Sequence, residues 1–383
     1  MVTYYESGHN VRAWLPLEKI APAARNQIDE LAKVPGLYEK IAIMPDVHLG
    51  FGMPIGGVAA LDGYIIPNAV GVDIGCGVLA IATTLVSKLI KGKVKNILTT
   101  FLDAIPVGFR KREKPLTSPI WQNLPDSPVL KREQTNARRQ LGTLGGGNHF
   151  IELQRDEDDY VWLMLHSGSR NLGKQVANHY HRLAQTNLKK KGISHPPGLA
   201  WLELDSPSGR EYFRAMEFCT RFATENRRLM AEHCLNILAD TFDFEIREQI
   251  ETVHNYAALE THMGKELIVH RKGAVRAQGK VAIPGSMGSA SFIGHGLENP
   301  LSFRSCSHGA GRVLGRREAK KVLNRKQVLT DLKARNIVLI TPDKGTLVEE
   351  AREAYKDIEE VMLYQKELVK PLVRLAPLGV LKG

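Results

Sequence analysis

The chain is poor in everything that would let it cross a membrane or brace a secreted domain. None of its 383 residues lies in an apolar run approaching the about eighteen that a membrane span needs. The opening MVTYYESGHN has neither the basic start nor the apolar stretch of a signal peptide, so a cytoplasmic protein without membrane contact is expected. Cysteine is scarce: Cys76, Cys219, Cys234 and Cys306 are scattered, which fits neither a disulfide framework nor a paired C-x-x-C zinc site. Repeats, low-complexity tracts and long linkers are missing, and nothing forces a domain boundary. There is no G-x-S-x-G elbow and no protein-kinase signature set. The glycine run GTLGGGN is not followed by Lys-Ser or Lys-Thr, which excludes an ordinary P-loop NTPase. Acidic charge is also in deficit, 41 Asp and Glu against 52 Lys and Arg, and the resulting +11 points to a polyanionic partner such as nucleic acid.

What is present is patterned apolar sequence, 43% hydrophobic, enough for a sizeable core. Residues 21–34 have helical periodicity, and 38–57 read as a buried strand running into a glycine-rich loop. HFIELQ and YVWLMLHS form a hairpin about the acidic turn RDEDD. HNYAALETH and LIVHRKGAV form another about MGKE, with His254 at its start. Between them, 210–240 is a helix with Phe213, Met216, Phe222, Met230, His233 and Ile237 on one stripe, and Cys219 and Cys234 are core residues of it. Further helices are expected at 310–334 and 347–369. The Pro-rich stretch 106–128 reads as a surface insertion, with Trp121 exposed or docked. The sum is one α+β domain over 1–383, sheets and hairpins flanked by helices, with its site on glycine-rich loops.

Six segments join glycines or strand ends to groups that bind metal or phosphate: PDVHLGFG, GVDIGCG, LGGGNHF, HSGSR, VHNY and HGAGR. Asp73 and Cys76 share one tight loop between two apolar strands, and with His149, His166 and His254 they make a sulfur, nitrogen and oxygen set suited to transition metals. One thiolate between two ions would explain a cysteine with no cysteine partner. The structural alternative is a small buried Cys76 and a loop-capping Asp73. The donor set alone invites zinc or cobalt as readily as manganese. HSGSR and HGAGR share a form suited to oxyanions, with Arg170 and Arg312 as forked donors.

In combination DVHLGFGMPIGG, GVDIGCG, LGGGNHFIE, HSGSR, VHNY, PGSMG, SHGAGR and the terminal LKG resemble the RtcB family of RNA-splicing and RNA-repair ligases, in order from about residue 41 to the end. The resemblance implies two manganese ions, one on Asp73, Cys76 and His149, the other on Cys76, His166 and His254. It makes His308 the nucleophile that takes GMP from GTP. It implies guanylate contacts at Asn148, His149, Phe150, Ile151, Glu152, His254, Asn255, Pro284, Gly285, Ser286, Met287, Ser291, Cys306, Ser307, His308, Gly309 and Lys382. Asp46 and His48 are near-site residues without a role. The implied reaction joins RNA ends carrying a 2′,3′-cyclic phosphate or 3′-phosphate to 5′-hydroxyl ends, through an RNA 3′-guanylate, in tRNA splicing or RNA repair. A monomer is expected, and an archease-type activator is left open. Some bacterial members have GKGSTIG where this chain has GFGMPIG; no implied ligand is lost. Two other readings stand beside this one, a dinuclear metal-dependent RNA phosphoesterase that does not ligate and a non-catalytic RNA-binding protein. In the tail LAPLGVLKG, Leu375, Leu378, Val380 and Leu381 can anchor an extended segment that presents Lys382 to guanine O6, with Glu152 accepting from base or ribose.

Overall fold

The computed structural model describes residues 3–6, 10–343, 345 and 347–383. The remaining positions, including 1, 2 and 7–9 of the opening stretch, lie outside the described residues. The fold is α+β and rests on two large sheets. The first runs, in sheet order, Thr3–Glu6, Asn10–Ala13, Leu37–Phe51, Met53–Leu61, Lys265–Lys272 and Asn255–His262. The second runs Ile246–Val253, Gly77–Val86, Tyr160–Ser167, Phe150–Arg155, Val369–Lys382, Ser291–Leu297 and Gln278–Ile283, with Val338–Ile340 parallel to the end of Val369–Lys382. Its two end strands come back into contact, so the sheet is nearly closed.

Alternation along these strands separates core from site. One face of the second sheet puts Leu79, Ile151, Leu165 and Leu381 against Leu98, Phe101, Met230 and Cys234 of the helices Val94–Ala104 and Pro207–Ala239. The residues one step along, Val78, Phe150, Met164 and Val380, belong to the other face. The long helix starts where Pro207 occupies the first turn and Ser206 Oγ accepts from Gly209 N at 3.0 Å. Among the described residues, no helix is long and apolar enough to cross a membrane.

The helix expected at 21–34 is Pro22–Leu31, and both hairpins form, the second with a tighter turn because its return strand begins at Lys265. Three expectations need correction. The strand from residue 38 does not end in a loop: it runs to Phe51 and returns as Met53–Leu61 around Gly52, whose φ of +74° permits the reversal. The helix at 310–334 is two, Arg316–Val322 and Arg325–Ala334, because the Asn324 side chain caps a fresh start by accepting from Lys326 N and Gln327 N. The span 347–369 holds only Ile358–Tyr364 as α-helix, after two short 3-10 turns, and its last residue already begins a strand. The stretch 106–128 lies on the surface with Trp121 docked against Phe218 and Phe222, while Phe109 is fully exposed.

The C-terminal strand is interior to the sheet rather than a tail. Val369–Leu375 pairs with Ser291–Leu297, and Ala376–Lys382 pairs with Phe150–Arg155. Leu381 is fully buried two residues from the chain end. Leu381→Ala should therefore cost about 2 to 5 kcal/mol, read as a lowered urea midpoint; a frayed tail would leave the midpoint unchanged.

Candidate functional site

Asp73 and Cys76 stand on the loop between the helical turn Pro67–Val70 and the strand Gly77–Val86. Cys76 N donates to Asp73 O at 3.1 Å, and Gly75 N donates to Asn255 O at 2.7 Å. Asn255 Nδ2 returns a bond to Asp73 O at 3.1 Å, and His254 N donates to Cys76 O at 2.9 Å. Beneath the loop the wholly buried Arg227 guanidinium donates to Gly75 O at 2.9 Å and Ser167 O at 2.5 Å and pairs with Glu251. One buried cation thus ties the Asp73–Cys76 loop to the strand end that carries His166. Gly168 leaves the room: a Cβ there would sit 2.1 Å from Asp73 Oδ1.

Five side chains converge above this floor in two triads, Asp73, Cys76 and His149 and Cys76, His166 and His254, which share Cys76. Cys76 Sγ lies 3.6 Å from His149 Nε2 and 3.3 Å from His166 Nε2, and the Nε2 atoms of His166 and His254 are 3.4 Å apart. His149 Nδ1 meets Leu144 O at 3.0 Å, which directs Nε2 at Asp73 Oδ2, also 3.0 Å away. Burial, reinforced by neighbouring imidazoles, holds His166 and His254 well below the ordinary histidine value, so both present lone pairs at neutral pH. Burial and the Asp73 carboxylate push the Cys76 thiol well up. Burial also disfavours the charged Asp73, but the bonds and charge from His149 and the Cys76 bond outweigh it and hold Asp73 at about 2. Imidazole nitrogens, a sulfur and a carboxylate oxygen thus converge within reach of one common point. The donor set therefore fits divalent transition ions, whose charge would also ionise the thiol.

His308 adjoins the cluster, its ring centroid 4.8 Å from that of His254. The short strand Ser305–Ser307, paired with Ala274–Arg276, delivers it. Asp46, from the strand Leu37–Phe51 and fully buried, accepts through Oδ2 from His308 N at 3.1 Å and contacts His308 Nδ1 at 2.5 Å. A proton on Nδ1 leaves the Nε2 lone pair free. Gly273, at φ +60°, keeps the ring's other side open, since a Cβ there would meet Ile55 Cγ2 at 2.2 Å and His308 Cε1 at 3.1 Å.

One row across the second sheet links the metal-type cluster to a nucleotide-sized cleft. Val78, His166, Phe150 and Lys382 are successive partners, and Glu152 and Val380 form the next pair along. Phe150, Glu152, Val380 and Lys382 thus share one face and line a cleft of about 900 Å³ together with Asn148, His254, Asn255, Pro284–Met287, His308 and Gly309. Lys382 Nζ lies 3.3 Å from Glu350 Oε2 and 5.7 Å from the Phe150 ring centre. Glu152 Oε2 accepts from Gln154 Nε2 at 2.6 Å, while its Oε1 is buried without a partner. Burial pushes Glu152 up to about 8, against the opposing pull of Gln154 and Lys382. Asp46 Oδ1 and His254 Nδ1 are likewise buried and unbonded. Each such atom costs about 1 to 3 kcal/mol; Glu152 and His254 line the cleft, and Asp46 stands behind His308.

Some expected contacts stand elsewhere. The side chains of Ile151 and Cys306 are in the core, because alternation turns them from the cleft. Ser307 is held by Gln365 Oε1, which accepts from its N and Oγ, and Ser291 Oγ accepts from Gly285 N and Gln154 Nε2. Both serines support the cleft wall from behind. The two arginines do not form open forks. Arg170 donates to Thr143 Oγ1 and Gly108 O, and Arg312 to Leu314 O, Glu349 O, Tyr355 and Glu350. Arg227 and the partnership of Asp46 with His308 escaped sequence reasoning; the latter spans 262 positions and has no local signature. Gly168→Ala should displace the Asp73 carboxylate and weaken binding of a divalent transition ion about 10- to 100-fold, measured by metal titration; unchanged affinity would exclude Asp73 from the metal shell.

With the geometry in hand, comparisons place the chain among known proteins. The family model described as tRNA-splicing ligase RtcB matches residues 27–124 and 112–383. The chain is 37% identical to the RNA-splicing ligase RtcB of Escherichia coli strain K12, over 97% of each. It is 32% identical to the tRNA-splicing ligase RtcB of Methanococcus maripaludis, over 96% of this chain and 93% of that one. It is also 32% identical to the protein of that name from Thermococcus kodakarensis, over 93% and 90%. Both the motifs and the full-length match lead to one assignment: this chain belongs to the RtcB family.

Proposed function

We propose that the chain is a GTP- and manganese-dependent RNA ligase that joins 2′,3′-cyclic phosphate or 3′-phosphate RNA ends to 5′-hydroxyl ends. The observation that carries this reading is His308, its Nδ1 against Asp46, beside the Cys76 cluster in a nucleotide-sized cleft. Asp73, Cys76, His149, His166 and His254 would hold two divalent ions, which supply charge neutralisation to phosphate oxygens. Asp46 holds the Nδ1 proton and fixes the ring, so that Nε2 is the nucleophilic atom. A bond forms from Nε2 to the α-phosphorus of GTP while the bond to the pyrophosphate oxygen breaks. A cyclic end is first opened by water to a 3′-phosphate; an oxygen of that 3′-phosphate then attacks the GMP phosphorus as the bond to Nε2 breaks, and attack by the 5′-hydroxyl on the RNA phosphorus expels GMP. Lys382 donates to guanine O6, and the free Glu152 oxygen accepts from the base N–H edge, over the Phe150 ring.

Incubation with manganese and α-labelled GTP, followed by denaturation, should leave label on the protein, and His308→Ala should abolish it while retaining metal. A metal-containing protein that hydrolyses cyclic phosphate without taking label would instead be a phosphoesterase. Asp46→Asn should keep metal and GTP binding but slow labelling by about 100-fold or more; an unchanged rate would leave Asp46 with a structural role only.

Glu152 sets a pH dependence. Its carboxyl is raised to about 8, so the free protein carries it neutral at pH 7. Accepting two base N–H groups favours the carboxylate, so GTP affinity should rise with pH up to about 8 and then level, and Glu152→Gln should flatten this. The sign for stability is opposite. Between the ordinary carboxyl range and about 8 the native state retains a proton that the unfolded chain has lost, so stability falls as pH rises through that window. A GTP affinity independent of pH between about 7 and 9 in the native protein, about one pH unit either side of this titration, would remove Glu152 from base recognition.

A further inference from the structure

A second cleft, of about 1200 Å³, adjoins the catalytic one and has no part in the chemistry above. Tyr355 and Lys356 line both. The segment after Gly285 contributes Ser286 and Met287 to the first and Gly288 to Ala290 to the second, and the C-terminal strand gives Lys382 to the first and Ala376 to Leu378 to the second. The partition is tied down, because Lys356 Nζ donates to Pro45 O at 2.8 Å and Val47 O at 2.7 Å, the carbonyls on either side of Asp46.

Eight basic side chains line the second cleft against four acidic ones. Arg155 and Arg374 already pair with Asp159 and Glu359, and Arg335 pairs with Asp331. Lys88, Lys91 and Lys95 are different. They are exposed, spaced three and four apart along one wall, and make no ion pair with a carboxylate among the described residues. Exposed ammonium groups on successive turns of the lining, without carboxylate partners among the described residues, fit a chain of phosphates. The volume exceeds that of the cleft where GTP is placed.

Resting on the ligase reading above, we propose that this second cleft is the track for the phosphate backbone of one RNA strand whose end enters the catalytic cleft past Tyr355 and Lys356. The reaction needs two RNA ends at one site, and the catalytic cleft also has to house the nucleotide. A separate basic channel lets a strand be held while its terminus is activated.

The test compares the native protein with Lys88→Glu, Lys91→Glu and Lys95→Glu combined, and with a control carrying the same charge change at Lys111, Lys114 and Lys190, which line neither cleft. The probe is a single-stranded RNA with a 3′-phosphate, and the readouts are RNA Kd across salt concentrations, ligation KM and histidine labelling from GTP. The track variant should label normally, bind RNA about tenfold or more weakly at 0.1 M salt, and lose about 0.7 of salt slope per abolished phosphate contact; the control should bind RNA as the native protein does. Equal RNA affinity in the track variant, or equal loss in the control, would overturn the track. The ligase reading fails separately, by absence of labelling or of RNA joining in the native protein. To guard against a misfolded variant, RNA carrying 4-thiouridine should crosslink the native protein at residues 87–95 or 374–378; crosslinks confined to other surfaces would also overturn it.

Discussion

The site depends on a single atom held in common. Cys76 Sγ belongs to both triads, and every other element is arranged so that three imidazoles and a carboxylate can reach it at once. In the protein alone burial and Asp73 push the thiol up, so the sulfur is not ionised without a cation beside it. The fold sustains the arrangement through Arg227, whose buried guanidinium grips the backbone on both sides, and through Gly168, whose missing side chain is filled by Asp73. Bound cations would convert this convergence into coordination.

The same economy of position joins the Cys76 cluster, His308 and Phe150. A sheet row places His166 beside Phe150 and Phe150 beside Lys382, so the cluster and the cleft wall share strands and keep their spacing. His308 approaches from a different strand pair, and Asp46 from the other sheet locks it in place. Because Asp46 lies between the two carbonyls that receive Lys356, the strap that divides the clefts also braces the carboxylate behind His308.

Local sequence made much of this legible. Alternating apolar residues marked both hairpins, glycine marked the loops that carry Asp73, Cys76, His149 and His166, and the start of a hairpin strand marked His254. The family resemblance then singled out five side chains that the fold brings together, although it could not order them in space. What stayed hidden was either long-range or conformational. Asp46 has no sequence neighbour that predicts His308, Arg227 reads as one more helical arginine, and Arg170 and Arg312 look like open anion forks until their internal acceptors are seen. The helices expected near 310–334 and 347–369 failed because Asn324 and Asp357 restart the chain with side-chain caps, which helical periodicity over a long window does not register.

The central claim is that one sulfur unites two ion sites. Manganese content per chain, determined by elemental analysis after equilibration and desalting, tests it for the native protein and for Cys76→Ala, His149→Ala and His254→Ala. The account predicts two ions in the native protein, none in Cys76→Ala, and one retained in each histidine variant. One ion lost in all three, with the other undisturbed, would show that Cys76 serves a single site and would contradict the account.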